Sequence, residues 1–161
     1  MRLSNLADYA VVLMCAAARQ CGGRAALGRR CSAGDLARET GVPLPTVQKL
    51  ASRLAGAGLL QSARGSGGGI LLARPAAAIS LADIIEAVEG PIALTACAED
   101  RRQDCALEAT CLVRPHWGAV NEALHSALAA VSLASLSEGP PPAPTPMRGP
   151  FAHAPRPEVS A

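Results

Sequence analysis

The stretch from Ser32 to Ala73 constrains this chain most, because caps, turn residues and hydrophobic spacing there all specify one arrangement. "SAGDLARET" opens with Ser32 and Asp35, a Ser-x-x-Asp variant of the capping box, and closes before Gly41. "GVPLPTVQKLASRLAGAGLL" starts a second helix near Pro43 or Pro45, where prolines suit a first turn, and Gly56 and Gly58 end it. Val47, Leu50 and Leu54 recur there at i, i+3 and i+7 and face inward, which leaves Thr46, Gln48, Lys49 and Arg53 on other faces. Two helices joined by a tight Gly-containing turn, the second basic outside, form a helix-turn-helix. "LLQSARGSGGGILLA" follows: two apolar runs, 59–62 and 70–73, around a Gly-rich tip with Arg64 at its base. That pattern predicts a β-hairpin, and a hairpin after a helix-turn-helix is a wing. The tip is not the phosphate-cradling kind, since no helix with Lys-Ser or Lys-Thr follows it.

The flanking segments read as helices. Residues 5–20 carry Leu6, Tyr9 or Ala10, Leu13, Ala16 and Ala17 at helical spacing, and the Gly-rich "CGGRAALGRRC" (21–31) connects them to Ser32. "SLADIIEAVEG" is a helix capped by Ser80 with Asp83 three residues on, its apolar face Leu81, Ile84, Ile85 and Val88. "PHWGAVNEALHSALAAVSLASL" predicts one long helix striped by Trp117, Val120, Leu124, Leu128 and Val131, an apolar face that suits packing on a second subunit. From Glu138 onward the chain is Pro-rich and aperiodic, which predicts a disordered tail. Aromatic residues make up only 2% of the 161, so the core has to be built from Ala, Leu, Val and Ile, which favours close-packed helices. The expected organisation is a DNA-binding winged helix over 1–78, a cysteine loop with a dimerisation helix over 79–137, and the tail over 138–161.

The net charge of +2 conceals a separation. Residues 1–75 carry ten Arg or Lys against three acids, whereas 76–161 carry five against ten. A basic half bearing a helix-turn-helix is a surface for a polyanion, here double-stranded promoter DNA. Thr46, Gln48 and Lys49 are placed to reach a major groove, where Gln pairs with adenine and Lys with guanine. Arg64, with Ser66 and Gly67 beside it in the wing, suits a narrow minor groove. Arg53 is a further candidate, although its side chain could instead bond the preceding helix. The apolar N-terminal run is interrupted by Asp8 and followed by Arg19; it is too short and too polar for a membrane span and lacks a signal-peptide layout, so a cytoplasmic protein without a membrane partner is expected.

"CAEDRRQDCALEATC" places Cys97, Cys105 and Cys111 in a polar stretch where packing gives no reason for thiols. Iron–sulfur ligation, a zinc site completed by His116, and redox-active thiols all fit this spacing, and Arg101 and Arg102 favour ionised thiols. Cys15 sits among apolar residues and reads as packing; Cys21 and Cys31 read as spare thiols flanking a loop. No Ser-His-Asp set, carboxylate pair or nucleotide motif supports an enzyme. A small redox metalloprotein is the reading that would dispense with DNA.

Together "MRLSNLADYAV", "GVPLPTVQKLASRL", "SARGSGGGILLAR", "AAAISLADIIEAVEGPIALTAC" and the three-cysteine loop resemble the Rrf-two family of bacterial winged-helix regulators, over residues 1 to about 137. "EGPIALTAC", "CLVRPHWGAVNEAL" and "VSLASL" look most like its regulators of SUF iron–sulfur assembly genes. The resemblance implies a homodimer, a 2Fe-2S or 4Fe-4S cluster held by Cys97, Cys105 and Cys111, and repression that follows cluster occupancy; a nitric-oxide- or redox-sensing repressor is the alternative within the family. It also implies a fourth ligand: Asp8 from the other subunit, as in members with an aspartate in helix 1, or His116, near the position (here Arg114) where other members have histidine. The chain departs from the family pattern in its C-x7-C-x5-C spacing, in Ser66 where proline is common, in Ile70 where an aromatic is common, and in Gln48 where a glutamate tunes operator choice.

Overall fold

The computed structural model describes residues 3–21, 30–63, 68–95 and 111–139. Arg64, Ser66, Gly67, Cys97, Cys105 and the tail from residue 140 lie outside the described residues. The chain runs α1 (Asn5–Cys21), α2 (Ala33–Thr40), α3 (Leu44–Gly56), β1 (Leu60–Ala63), β2 (Gly69–Leu72), a 3-10 turn (Ala76–Ala78), α4 (Leu81–Glu89), α5 (Arg114–Ala129) and α6 (Leu133–Glu138). It is the mainly helical winged helix-turn-helix that the sequence predicts.

Local chemistry explains each boundary. Ser32 and Asp35 form a reciprocal capping box at the start of α2, and Ser80 and Asp83 form another at α4. Gly41 ends α2 in the left-handed region, φ 72°, with its N–H on the Ala37 carbonyl. Only a residue without Cβ takes that turn at no cost, and it aims the chain from α2 into α3. Pro45 lies in the first turn of α3, and the free Pro43 carbonyl accepts from Thr46 and Val47 at 2.9 and 3.0 Å. β1 and β2 pair antiparallel in the register Leu60↔Leu72 to Ala63↔Gly69, which turns Leu60 and Ile70 into the core.

One apolar core holds these elements, drawing Leu13 and Met14 from α1, Leu36 from α2, Val47, Leu50 and Leu54 from α3, Ile84 from α4 and Leu133 from α6. The inward face of α1 is otherwise alanine: Ala7, Ala10, Ala16 and Ala17 are fully buried. Such small side chains let α4 and α6 lie close against α1, which is how a chain nearly without aromatics closes its interior. The core therefore runs across position 78. A smaller cluster of Ala82, Ile85 and Ile92 receives Leu124 and Leu128 from α5.

Two expectations are corrected. The C-terminal helix is not continuous: α5 stops at Ala129, and Ser132 caps α6 through its hydroxyl on the Ser135 N–H. The break is enforced by pairing between distant segments, since Leu81 N–H bonds Val131 O and Leu133 N–H bonds Ile79 O, both at 2.8 Å, which draws Leu133 into the core. Cys21 and Cys31, read as spare thiols, are joined in a disulfide. Cys21 ends α1 and Cys31 is held beside β2, so the fold brings the two Cα atoms to 6.5 Å, within the range a disulfide spans.

Candidate nucleic-acid interface and cysteine segment

α3 presents Gln48, Lys49, Ser52 and Arg53 outward, while Thr46 is half-buried at its first turn. Thirteen residues give a helix about 20 Å long, with a polar outer face of the size a major groove admits. Between α3 and the hairpin lies a groove of about 630 Å³, lined by Gln48, Ala51, Ser52 and Ala55 of α3, by Ser32 and Ala33, and by Ser62, Ala63 and Ile70 of the wing strands. Its hydroxyl and amide groups are hydrogen-bonding chemistry, suited to bases, sugars and phosphates alike.

Arg53 has a structural partner. Its Nη1 donates to the Val88 carbonyl at 2.9 Å, fastening α3 to the last turn of α4 rather than to the helix before it. A guanidinium on a C-terminal carbonyl also complements the helix dipole. Glu89 works at the same end, accepting from the Ser4 N–H at 2.9 Å and so holding the start of α1 there.

Acid–base pairs brace the helix-turn-helix on the side towards α1. Glu39 accepts from Arg19 at 2.9 Å and from the Gln20 amide, and the Arg19 bond is the main reason its carboxyl is held below the usual range. Asp35 is likewise lowered, first by the Ser32 hydroxyl, then by the Ser32 N–H and by Arg38 at 3.0 Å. Cys15 packs half-buried against the core, and burial raises its thiol against a smaller opposing effect of Arg19, which suits its reading as a packing residue.

The segment that carries the cysteines is clasped at its base. Asn121 on α5 donates from Nδ2 to the Ile92 carbonyl at 2.9 Å, and its Oδ1 accepts from the Leu94 N–H at 3.2 Å. Residues 92–94 are thus pinned to α5, and Glu86 accepts from the Ile92 N–H at 3.3 Å while its Oε1 lies 3.6 Å from His125 Nε2. Cys111 is a free, partly exposed thiol just before α5, and His116 is exposed in that helix's first turn. Asp8 is exposed on α1, so no burial penalty bears on its carboxylate within this chain. No group of three metal-ligating side chains is assembled among the described residues, which exclude Cys97 and Cys105. A polar thiol segment flanked by an imidazole is nonetheless the donor chemistry an iron–sulfur cluster takes.

Sequence reasoning did not find the Asn121 clasp, the Val88 partner of Arg53 or the Cys21–Cys31 bridge. Only the last carried a signal, two cysteines bracketing a Gly-rich connection.

A basic recognition helix, a two-stranded wing and a helical extension that shares its core define a winged-helix transcriptional regulator. The chain belongs to the Rrf2 family, whose model, described as iron-dependent transcriptional regulators, matches residues 3–139. It is 33% identical over 136 residues, 84% of this chain and 79% of the relative, to an Azotobacter vinelandii protein named as an HTH-type transcriptional regulator, ORF2. It is 35% identical to the transcriptional regulator IscR of Xenorhabdus nematophila over 102 residues, 63% of this chain and 61% of that one. CymR, named as the global cysteine regulator of B. subtilis, superposes with a TM-score of 0.63 at 25% identity, covering 86% of this chain and 97% of CymR. These relatives are transcriptional regulators and not enzymes, and DNA binding is the activity of the class. That sets aside the small redox metalloprotein. No helix among the described residues is long and apolar enough to cross a membrane.

Proposed function

We propose that this chain is a cytoplasmic, homodimeric repressor of SUF iron–sulfur assembly genes that senses an iron–sulfur cluster. Thr46, Gln48 and Lys49 read a major groove, and Arg64, with Ser66 and Gly67, follows a minor groove. Cys97, Cys105 and Cys111 are the thiolate ligands, with the fourth from Asp8 of a second copy or from His116. A bound cluster supplies a site that is lost or changed by iron limitation and oxidants, and hence a signal.

The observation that carries this reading is the bond from Arg53 to the Val88 carbonyl. The recognition helix is fastened to the end of α4, and the cysteine segment leaves that same end after Ile92 and returns into α5. Any ligand that rearranges the cysteines therefore acts on an element that directly holds α3, which is the differential contact a switch requires.

The test is anaerobic purification followed by absorption spectroscopy and binding to promoter DNA across a salt series. The wild type is expected to show iron–sulfur charge-transfer bands and salt-dependent DNA binding. Replacing Cys97, Cys105 and Cys111 by Ala should give a colourless, folded chain that binds DNA without responding to iron. A triple variant that retains stoichiometric iron and sulfide would show that these cysteines are not the ligands.

A further inference from the structure

Cys21 and Cys31 take no part in the cysteine segment, yet the fold builds a separate site around them. Both are buried, with 7% and 4% of their surfaces exposed, and they are bridged between the last residue of α1 and the residue before the Ser32 cap. Cys31 is also stitched to the wing. Its N–H bonds the Ile70 carbonyl at 3.0 Å and its carbonyl accepts from the Ile70 N–H at 2.8 Å, so it acts as a one-residue third strand beside β2. The approach is too close for a side chain at Gly69, whose Cβ would lie 2.8 Å from Arg30 Cβ and 3.1 Å from the Cys31 carbonyl oxygen.

The Cys31 sulfur has two alternative partners. It is bonded to Cys21 in the oxidised form, and it lies 3.4 Å from the Ile70 carbonyl, to which a thiol there can donate once the bridge is open. A cavity of about 390 Å³, lined by Cys31 together with Gln20, Arg30, Asp35, Arg38 and Glu39, adjoins this residue.

We propose that Cys21 and Cys31 are a reversible dithiol–disulfide switch, oxidised by peroxides, that sets the position of the wing and the helix-turn-helix against α1. The Cys31 thiolate attacks one peroxide oxygen, the O–O bond breaks, and a sulfenic acid forms at Cys31 as water leaves. The Cys21 thiolate then attacks that sulfur, the S–O bond breaks and a second water leaves. Two thiols have lost two electrons and two protons to one peroxide. A dithiol reductant reverses the change by exchange through a mixed disulfide. The oxidised pair ties Cys31, with the Ile70 it pairs to and the start of α2, covalently to the end of α1; reduction removes that tie and leaves the Cys31–Ile70 backbone pairing in place. Oxidation therefore tightens DNA binding. This site is separate from the cysteine segment, although its readout rests on the DNA-binding reading.

The experiment uses the full chain carrying Cys97→Ala, Cys105→Ala and Cys111→Ala, so that only the internal pair and Cys15 remain. One sample is reduced with dithiothreitol and another treated with hydrogen peroxide; both are alkylated and digested with trypsin. Cleavage at Arg19, Arg24, Arg30 and Arg38 should yield, only after peroxide, Gln20–Arg24 cross-linked to Cys31–Arg38. Fluorescence anisotropy with a duplex selected from a randomised pool on the wild-type protein should show the oxidised form binding about 5-fold tighter or more, the lower end of ordinary allosteric coupling. Cys21→Ala in the same background should bind with the reduced-state affinity whether or not peroxide is added. Absence of the cross-linked peptide, affinities equal within 2-fold, or a redox response that survives Cys21→Ala each overturns the switch. Peptide mapping involves no DNA, so a pair that cross-links while neither this variant nor the wild type titrated beside it binds a duplex in either state overturns the DNA-binding reading, and the switch as a control of it.

Discussion

At the scale of single residues, the outward face of α3 separates positions that should recognise sequence from positions that hold structure. Gln48 and Lys49 are exposed with no partner among the described residues, whereas Arg53 is committed to the Val88 carbonyl. Gln48→Ala is expected to cost about 1–3 kcal/mol of operator affinity and to relax preference at one base pair. Lys49→Ala, if its contact is a phosphate, should weaken all sequences alike and lower the salt slope by about one. Arg53→Ala should instead lower folding stability by about 1 kcal/mol, the scale of one hydrogen bond. Anisotropy titrations over a salt series with single-base operator variants, alongside urea melts, separate the three. Equal losses on every duplex for Gln48→Ala would remove it from base recognition.

At the scale of elements, the helix-turn-helix depends on carboxylates in a way that fixes its response to acid. Asp35 and Glu39 are both held below their ordinary values, so the folded chain keeps them ionised to lower pH than the unfolded chain does. Their stabilisation is fully present above about pH 4–5 and is lost as pH falls through the depressed values. Thermal melts taken from about pH 5 down to pH 3 should therefore show Tm falling, and falling less in Glu39→Gln, which has one titrating carboxylate fewer. Parallel curves for the variant and the wild type would mean that Glu39 does not contribute. The two capping boxes are independent of one another, and Ser32→Ala or Ser80→Ala should each cost about 1 kcal/mol.

At the scale of the whole molecule, the C-terminal stripe divides between two uses. Leu133 of α6 is fully buried in the common core and Leu124 and Leu128 pack on α4, while Val120 is 47% exposed. Leu133→Ala should destabilise the chain by about 2–5 kcal/mol in urea melts at fixed protein concentration. Val120→Ala should leave that stability within about 0.5 kcal/mol while weakening any association through α5, read by sedimentation. A neutral Leu133→Ala would mean that α6 is not part of the folding unit.

What the sequence determined by itself was whatever is written within a turn or two of chain. Ser32 with Asp35, Ser80 with Asp83, Gly41 after its helix and Val47, Leu50 and Leu54 at helical steps specify elements through neighbours, so the winged helix-turn-helix and its outward Gln48 and Lys49 were legible before any contact was known. The tertiary structure alone decided where distant segments meet. The pairing of residues 79–81 with 131–133 breaks a stripe that otherwise reads as one helix, because two backbone bonds between distant segments and the burial of Leu133 outweigh the local preference to continue. The same holds for Arg53, whose partner lies 35 residues away, and for Cys21 and Cys31, which meet only because α1 and the wing strand converge on one core. Spacing in the chain does not fix such meetings; the packing that closes the core does.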